Sequence, residues 1–289
     1  ASKKDDKGRW TVFEKPAWGP WAVCRNDQSG FGEGAQSTGE LIAYAPDIDH
    51  TNPQVQRDVK EWIAWMVSEV GIRALRLDFV IGFAPRIQEQ YVRGADSPFA
   101  VAEYWHGDVN VLRNYINATK GAVAVFDFPV YYTLKHCVHS NDFGGLRWDG
   151  KPPGIMGLDP VRCCSFVENH DTDHLEIVGG PFGDSAQIVR GYVYILTHPG
   201  TPCVFWSDWA DRGQDVRRQI NCCVQLRHKV QIHCLSRCSI EKAEGGLYAA
   251  FIEGVKGGLA VKLGSQNWSP HGNWKVATYG TDYCVWIRS

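Results

Sequence analysis

Apolar residues along this chain fall into three patterns. Between residues 51 and 230, short continuous apolar runs alternate with segments of helical period. Asn52 stands where a cap belongs and Pro53 suits a first helical turn. Val55, Val59, Trp62, Ile63, Met66, Val67 and Val70 then share one face, and Gly71 ends the predicted helix. GIRALRLDFVIG follows and predicts a buried strand over 72–80. Further strands are predicted at 98–105, 121–129, 163–171 and 201–208. Helices are predicted over about 108–119, about 130–139, from 185 onward, and about 215–229. Apolar strands alternating with amphipathic helices specify an α/β fold, a parallel sheet covered by helices, here with five strand–helix units.

The flanks differ. Residues 1–50 have weak periodicity and many turn formers, as in RNDQSGFGEGAQSTGE, and read as a loop-rich excursion. After 231, SIEKAEGGLYAAFIE, GGLAVKLG, NWKVATYG and DYCVWIRS are short runs punctuated by Gly and Asn, which predict a small antiparallel sheet. The predicted division is therefore 1–50, 51–230 and 231–289.

Charge and composition narrow the partners. A formal net charge of −2, with both signs dispersed, argues against nucleic acid or an anionic membrane as the main partner. No apolar run approaches the ~18 residues that a membrane span needs. Twelve Trp and eleven Tyr suit stacking on sugar rings as well as ordinary packing. Ten cysteines without a CxxC pair disfavour a zinc site, and two adjacent pairs fall in a predicted strand and helix. Buried free thiols in a reducing compartment fit better than a disulfide framework, and the polar opening ASKKDDKGRW has no apolar leader core. Cytosol or plastid is the expected location.

Candidate chemistry sits at strand ends. Arg76 and Asp78 are two residues apart, so both side chains leave one face of the first strand, and the guanidinium favours the ionised carboxylate. Glu103 ends the next strand among Ala102, Tyr104 and Trp105, a setting that disfavours charge and suits a general acid. Asp171, preceded by Asn169 and His170, ends a third. Acids at strand ends also serve as helix caps, and an Asp–Arg pair can be purely structural. Asp47 and Asp49 beside His50 form an acidic loop cluster, which suits a hard cation or simply solvent.

RALRLDFVIG, FAVAEYW and FVENHDT, in this order, resemble the three catalytic motifs of the alpha-amylase family. PDIDHTNPQVQ resembles its calcium-site segment, and GKPPGIMG, GYVYILTHPGTPC and GTDYCVWI resemble its plant and green-algal branch. The resemblance implies a (β/α)8 TIM barrel, a loop-rich inserted domain and a C-terminal antiparallel β-sheet domain. It implies endo-hydrolysis of α-1,4 bonds in starch-type glucans by a retaining, two-carboxylate mechanism. Asp78 would be the nucleophile, Glu103 the acid/base and Asp171 the transition-state stabiliser, with His170 and Arg76 as substrate-binding support. Asp47, the carbonyls of Ala45 and Gly82, and Asp27 would match calcium ligands.

Departures from the pattern set further expectations. The five predicted strands match an incomplete barrel beginning after the family's third strand, whose first segment would be the missing partner. Ser37 and Leu41 replace acids of the calcium segment, and Val80 and Ile81 follow the nucleophile where a basic residue is usual. Asp159 stands where the branch has paired tryptophans, and DHLEIVGG replaces a Gly-Ser-rich stretch. The competing expectations are a transglycosylase of the same superfamily, a noncatalytic glucan-binding or structural protein, and a fragment that works only with its missing barrel half.

Overall fold

We describe a computed structural model of the chain, which describes residues 16–43, 45–95, 99–173 and 180–288. The polar opening stretch, Pro98 at the start of the second predicted strand, and 174–179 of the DHLEIVGG segment lie outside the described residues. The chain forms two compact units. The first runs to Tyr104 and adds Asn114–Ala124; the second comprises Trp105–Arg113 and the chain from Val125 onward.

The first unit begins in irregular backbone, pinned by an antiparallel bridge between Val23 and Ile48. Helix α1 (Pro53–Trp65) starts where the sequence places it, with the Asn52 side chain accepting from Gln54 N. A π-type turn, Met66–Val70, closes it, and Gly71 takes the left-handed conformation that glycine tolerates. Strand β1 (Ala74–Leu77), helix α2 (Pro85–Gly94) and strand β2 (Phe99–Ala102) follow. β1 and β2 pair in parallel, with Arg76 opposite Val101 and Leu77 opposite Ala102. Helix α3 (Val109–Ala118) crosses the division between the units.

The expectation of a buried first strand is corrected. The strand has four residues rather than nine, and Leu75 alone among them is buried. On the apolar face predicted for the first helix, Val55 and Ile63 are buried but Trp62 and Val70 are each 58% exposed, so this face is only partly covered as well. The reason is that β1 pairs only with β2 among the described residues. A continuous apolar run marks a strand, but it does not say how many neighbours cover it.

In the second unit, β3 (Ala124–Phe126), whose first residue falls at the division, pairs in parallel with β4 (Cys163–Ser165). β4 pairs likewise with β5 (Thr201–Pro202). The helices are α4 (Phe128–Ser140), α5 (Gly154–Leu158), α6 (Ser185–Thr197), α7 (Trp206–Ala210) and α8 (Gln214–Val230). Asp184 opens α6 with a full capping box to Gln187. From Ile188 to Thr197 every residue of α6 is buried, which makes it the central helix of this unit. Tyr131 stacks on Phe166 at 4.9 Å and Phe128 meets the same ring at 5.1 Å, forming an aromatic floor under the β4 end.

The sheet expected after 231 is present. Strands β6 (Arg237–Glu244), β7 (Leu247–Gly254), β8 (Gly257–Leu263), β9 (Lys275–Gly280) and β10 (Tyr283–Arg288) are antiparallel in the order β6-β7-β8-β10-β9. Burial of His198 between Tyr194 and Tyr248 joins α6 to this sheet. His198 Nδ1 donates to Tyr194 O at 2.7 Å, and Nε2 accepts from Tyr248 Oη at 2.7 Å. Burial pushes its pKa down to about 3, so it is a neutral structural imidazole.

Candidate active site

Asp78 follows the last residue of β1, and Glu103 follows the last residue of β2. Parallel pairing therefore brings both acids to the same end of the β1–β2 ladder. Glu103 N donates to Leu77 O at 2.9 Å, which extends the ladder to the acid itself. Beyond Asp78 the chain turns at once: Phe79 sits at φ 42°, ψ 54°, an uncommon left-handed conformation for a bulky residue. Buried Gln88 of α2 holds that turn by donating to Val80 O (2.6 Å) and Phe83 O (2.7 Å), and it accepts from Tyr115 Oη. Two amide donors and one buried acceptor fix the backbone on which Asp78 stands.

Arg76 connects the two acids. Its Nη1 lies 2.5 Å from Asp78 Oδ1 and its Nη2 lies 2.6 Å from Glu103 Oε1. Burial opposes the guanidinium charge, but Glu103 and then Asp78 outweigh it, and the arginine pKa stands above its usual value. The environments of the two carboxylates differ sharply: Asp78 is 73% exposed and Glu103 7%. The two carboxyls thus share one cation in unlike settings, one open and one buried. The Arg76–Asp78 contact matches the two-residue spacing. The Glu103 arm depends on the β1–β2 register and could not be read within one strand.

In the second unit, His170 and Asp171 pair with each other, Nε2 to Oδ2 at 3.4 Å. Asn169 organises their turn by accepting from Asp171 N (2.9 Å) and Thr172 N (2.8 Å) through Oδ1. Arg76, Asp78 and Glu103 are thus brought together in the first unit, and His170 and Asp171 in the second.

The acidic loop is built by backbone donors. Asp27 accepts from Ser29 N and Oγ on one oxygen and from Asp47 N on the other. Burial raises its pKa, but these donors outweigh burial and the net shift is downward. Asp49 is engaged in the same way by Thr51 and Ala35 N. Asp47 differs: burial, and then the Asp27 charge, push its pKa up, and its buried Oδ2 finds no hydrogen-bond partner among the described residues. An orphaned buried carboxylate oxygen beside a second carboxylate suits a hard cation. No group of three His, Cys, Asp or Glu side chains that could hold a metal occurs among the described residues, so carbonyl ligands would have to complete any such shell. His50 is engaged by packing: its ring stacks on Phe83 at 3.8 Å, its Nδ1 lies 3.1 Å from Tyr91 Oη, and burial pushes its pKa down to about 4.

The sequence reading missed Glu168 and Arg212. Glu168 adjoins the Asn-His-Asp triplet but points inward, and Arg212 meets it at 3.0 Å from far along the chain. Glu168 lies three residues beyond β4, in a stretch that is buried at every position from Cys163 on, so no alternation in the sequence marks its direction.

Comparison with known proteins places this geometry. Residues 229–287 match the alpha-amylase C-terminal beta-sheet domain. Over 99% of its length the chain is 35% identical to the chloroplastic alpha-amylase 3 of Arabidopsis thaliana, and it covers 34% of that protein. It is 36% identical over 93% of its length to the probable alpha-amylase 2 of the same plant, covering 68% of it. The chain thus spans about a third of one relative and two thirds of the other. Among solved structures, an Anoxybacillus alpha-amylase superposes with TM-score 0.66 at 14% identity, over 94% of this chain and 71% of that one. A cyclomaltodextrin glucanotransferase superposes with TM-score 0.68 at 14% identity, over 86% and 63%. Strand-end acids joined by one arginine, the antiparallel C-terminal sheet and the plant relatives lead to one assignment: the chain belongs to the alpha-amylase family of glycoside hydrolases.

Proposed function

We propose that the chain carries the catalytic carboxylates of an enzyme that cuts internal α-1,4 bonds of starch-type glucans with retention of configuration. The observation that supports this most is the single guanidinium shared by open Asp78 and buried Glu103. In this reading Asp78 attacks the anomeric carbon while Glu103 gives its proton to the departing glycosidic oxygen. Water then cleaves the Asp78 ester, and Glu103 takes the proton from it. Arg76 keeps Asp78 ionised and aimed. Asp171, supported by His170, stabilises the oxocarbenium-like transition state. The identities of the relatives support glucan as substrate, and the chloroplastic relative supports a plastid as well as a cytosolic setting.

The same resemblance supports a (β/α)8 barrel to which residues 51–230 contribute five strand–helix units. An N-terminal barrel segment would complete it, residues 1–50 would belong to the inserted domain, and 231–289 would form the β domain. Product analysis on soluble starch tests the reading. Shorter maltooligosaccharides carrying a newly formed α-anomer are the expected result. Redistributed chain lengths would mean transglycosylation, and binding without turnover would leave a noncatalytic glucan-binding protein.

Calcium would be held by Asp47, with the carbonyls of Ala45 and Gly82 and with Asp27 as a further ligand; the unpartnered Asp47 Oδ2 supports this. It would neutralise the Asp47 charge and tie the loop to the strand end near Asp78. Saturating calcium should raise the melting temperature by several degrees over chelator, since ligand at ~100 times its Kd contributes ~2.7 kcal/mol. Asp47→Asn should abolish that shift. Equal melting with and without calcium, or a shift that persists in Asp47→Asn, would refute the assignment.

A further inference from the structure

The turn that carries His170 and Asp171 has an acid on each flank, and one guanidinium reaches both. Arg212 Nη2 lies 3.0 Å from Glu168 Oε2 and 3.6 Å from Asp173 Oδ1. Its Nε holds Asp208 Oδ1 of α7 at 2.5 Å, and Asp208 Oδ2 accepts from Tyr192 Oη of α6 at 2.7 Å. The other Glu168 oxygen accepts from Phe182 N. Phe182 is therefore tied to Glu168, and Lys135 of α4 donates to Gly180 O at 2.7 Å beside it. Glu168 and Asp208 are both buried, at 2% and 0% exposure.

We propose that Arg212 is a positioning residue, a staple across both flanks of the Asn169–Thr172 turn that holds His170 and Asp171 in place and that tightens when Glu168 takes up a proton. The functional half of this rests on the reading of Asp171 given above; the staple itself does not. Charge accounts for the proton. Three carboxylates, Glu168, Asp173 and Asp208, share one guanidinium in a buried setting. From α4, Tyr131 and Lys135 also face Glu168, and Tyr192 faces Asp208 from α6. Burial, chiefly, pushes Glu168 up to about 7, and Asp208 moves in the same direction for the same reason. A carboxyl raised in the closed arrangement favours that arrangement fully below its solvent value of 4.5, and the advantage fades as pH rises towards 7.

Amide hydrogen exchange at Asp171 and Thr172, corrected for intrinsic rates, reads the staple without requiring turnover. In the wild-type chain, opening at both amides should increase by more than tenfold, up to roughly 70-fold, between about pH 5 and pH 8. Glu168→Gln keeps an acceptor for Phe182 N and should remove this pH step. Arg212→Met should increase opening at both amides about tenfold or more at pH 5, with Val261 in β8 unaffected. If Arg212→Met does not fold, Arg212→Lys serves, because a single ammonium cannot span Glu168 and Asp173 in the guanidinium's manner and opening should rise. A pH step that survives in Glu168→Gln, or unchanged opening in the arginine variants, overturns the proposal. Expected exchange behaviour in a protein that never cleaves starch would sink the catalytic reading and leave the staple standing.

Discussion

On the proposed reading, Asp78→Asn should lower starch hydrolysis on the order of 10⁴-fold or more, the scale at which losing a catalytic nucleophile is felt. An amide cannot form the glycosyl ester, and no carboxylate other than Glu103 shares Arg76 in the described contacts. Folding should be nearly untouched. Asp78 is mostly exposed, and exposed ion pairs contribute at most about 1 kcal/mol. The variant should therefore melt close to wild type while its initial rate of reducing-end release vanishes. The Arg76–Glu103 pair remains in place, so maltooligosaccharide binding should persist. Retention of more than about 1% of wild-type kcat, with a stable fold, would remove Asp78 from the nucleophile's role.

A second large effect concerns stability. Asp127→Ala should cost about 3 kcal/mol, roughly 6–10 °C in melting temperature for a chain of this size. Asp127 is fully buried at the end of β3. It caps α4 by accepting from Val130 N at 3.2 Å, and it accepts from Met156 N at 2.7 Å and Cys163 Sγ at 3.3 Å. Alanine would strand these donors in the interior, each at a cost of ~1 kcal/mol or more. Burial raises the Asp127 pKa to about 6, with the donors opposing. The folded state therefore holds its proton more tightly than the unfolded one, and this group's contribution weakens as pH rises from about 4 towards 6. Gly154, at φ 70°, lies so close to this carboxylate that an added Cβ would collide with it. Asp127→Asn should lose less than alanine, and a melting loss under about 2 °C for Asp127→Ala would contradict this account.

The contrast between Asp78 and Asp127 shows what a strand-end acid does and does not reveal. Both follow short apolar runs, and in the sequence both could be caps or catalysts. Asp127 is a cap, because the chain continues directly into α4 and the helix amides take its oxygens. Asp78 meets no such helix start; a left-handed Phe79 turns the chain away instead. Helix α1 was legible because its signals are local: a cap, a proline and a 3.6-residue period. The exposure of β1 was not, since burial depends on neighbours far away in the chain. Arg76 was visible as the companion of Asp78, whereas its bond to Glu103 needed the strand register. Arg212 lies 44 residues from Glu168, and no local pattern links them.

The cysteines carry a consequence for how the protein ages. All ten are free thiols, and Cys24, Cys137, Cys163, Cys164 and Cys223 are buried. Burial pushes Cys24 and Cys137 up to about 11 and Cys238 to about 12, with Cys163 raised further. Thiolate is the reactive form, so these sulfurs are almost inert while the fold is closed. Their rate of labelling by an alkylating reagent is then set by how often the interior opens. For the five buried sulfurs, reaction in air is therefore governed by how often the fold opens rather than by the chemistry of sulfur, whereas Cys203, Cys222, Cys234, Cys238 and Cys284 are only partly covered.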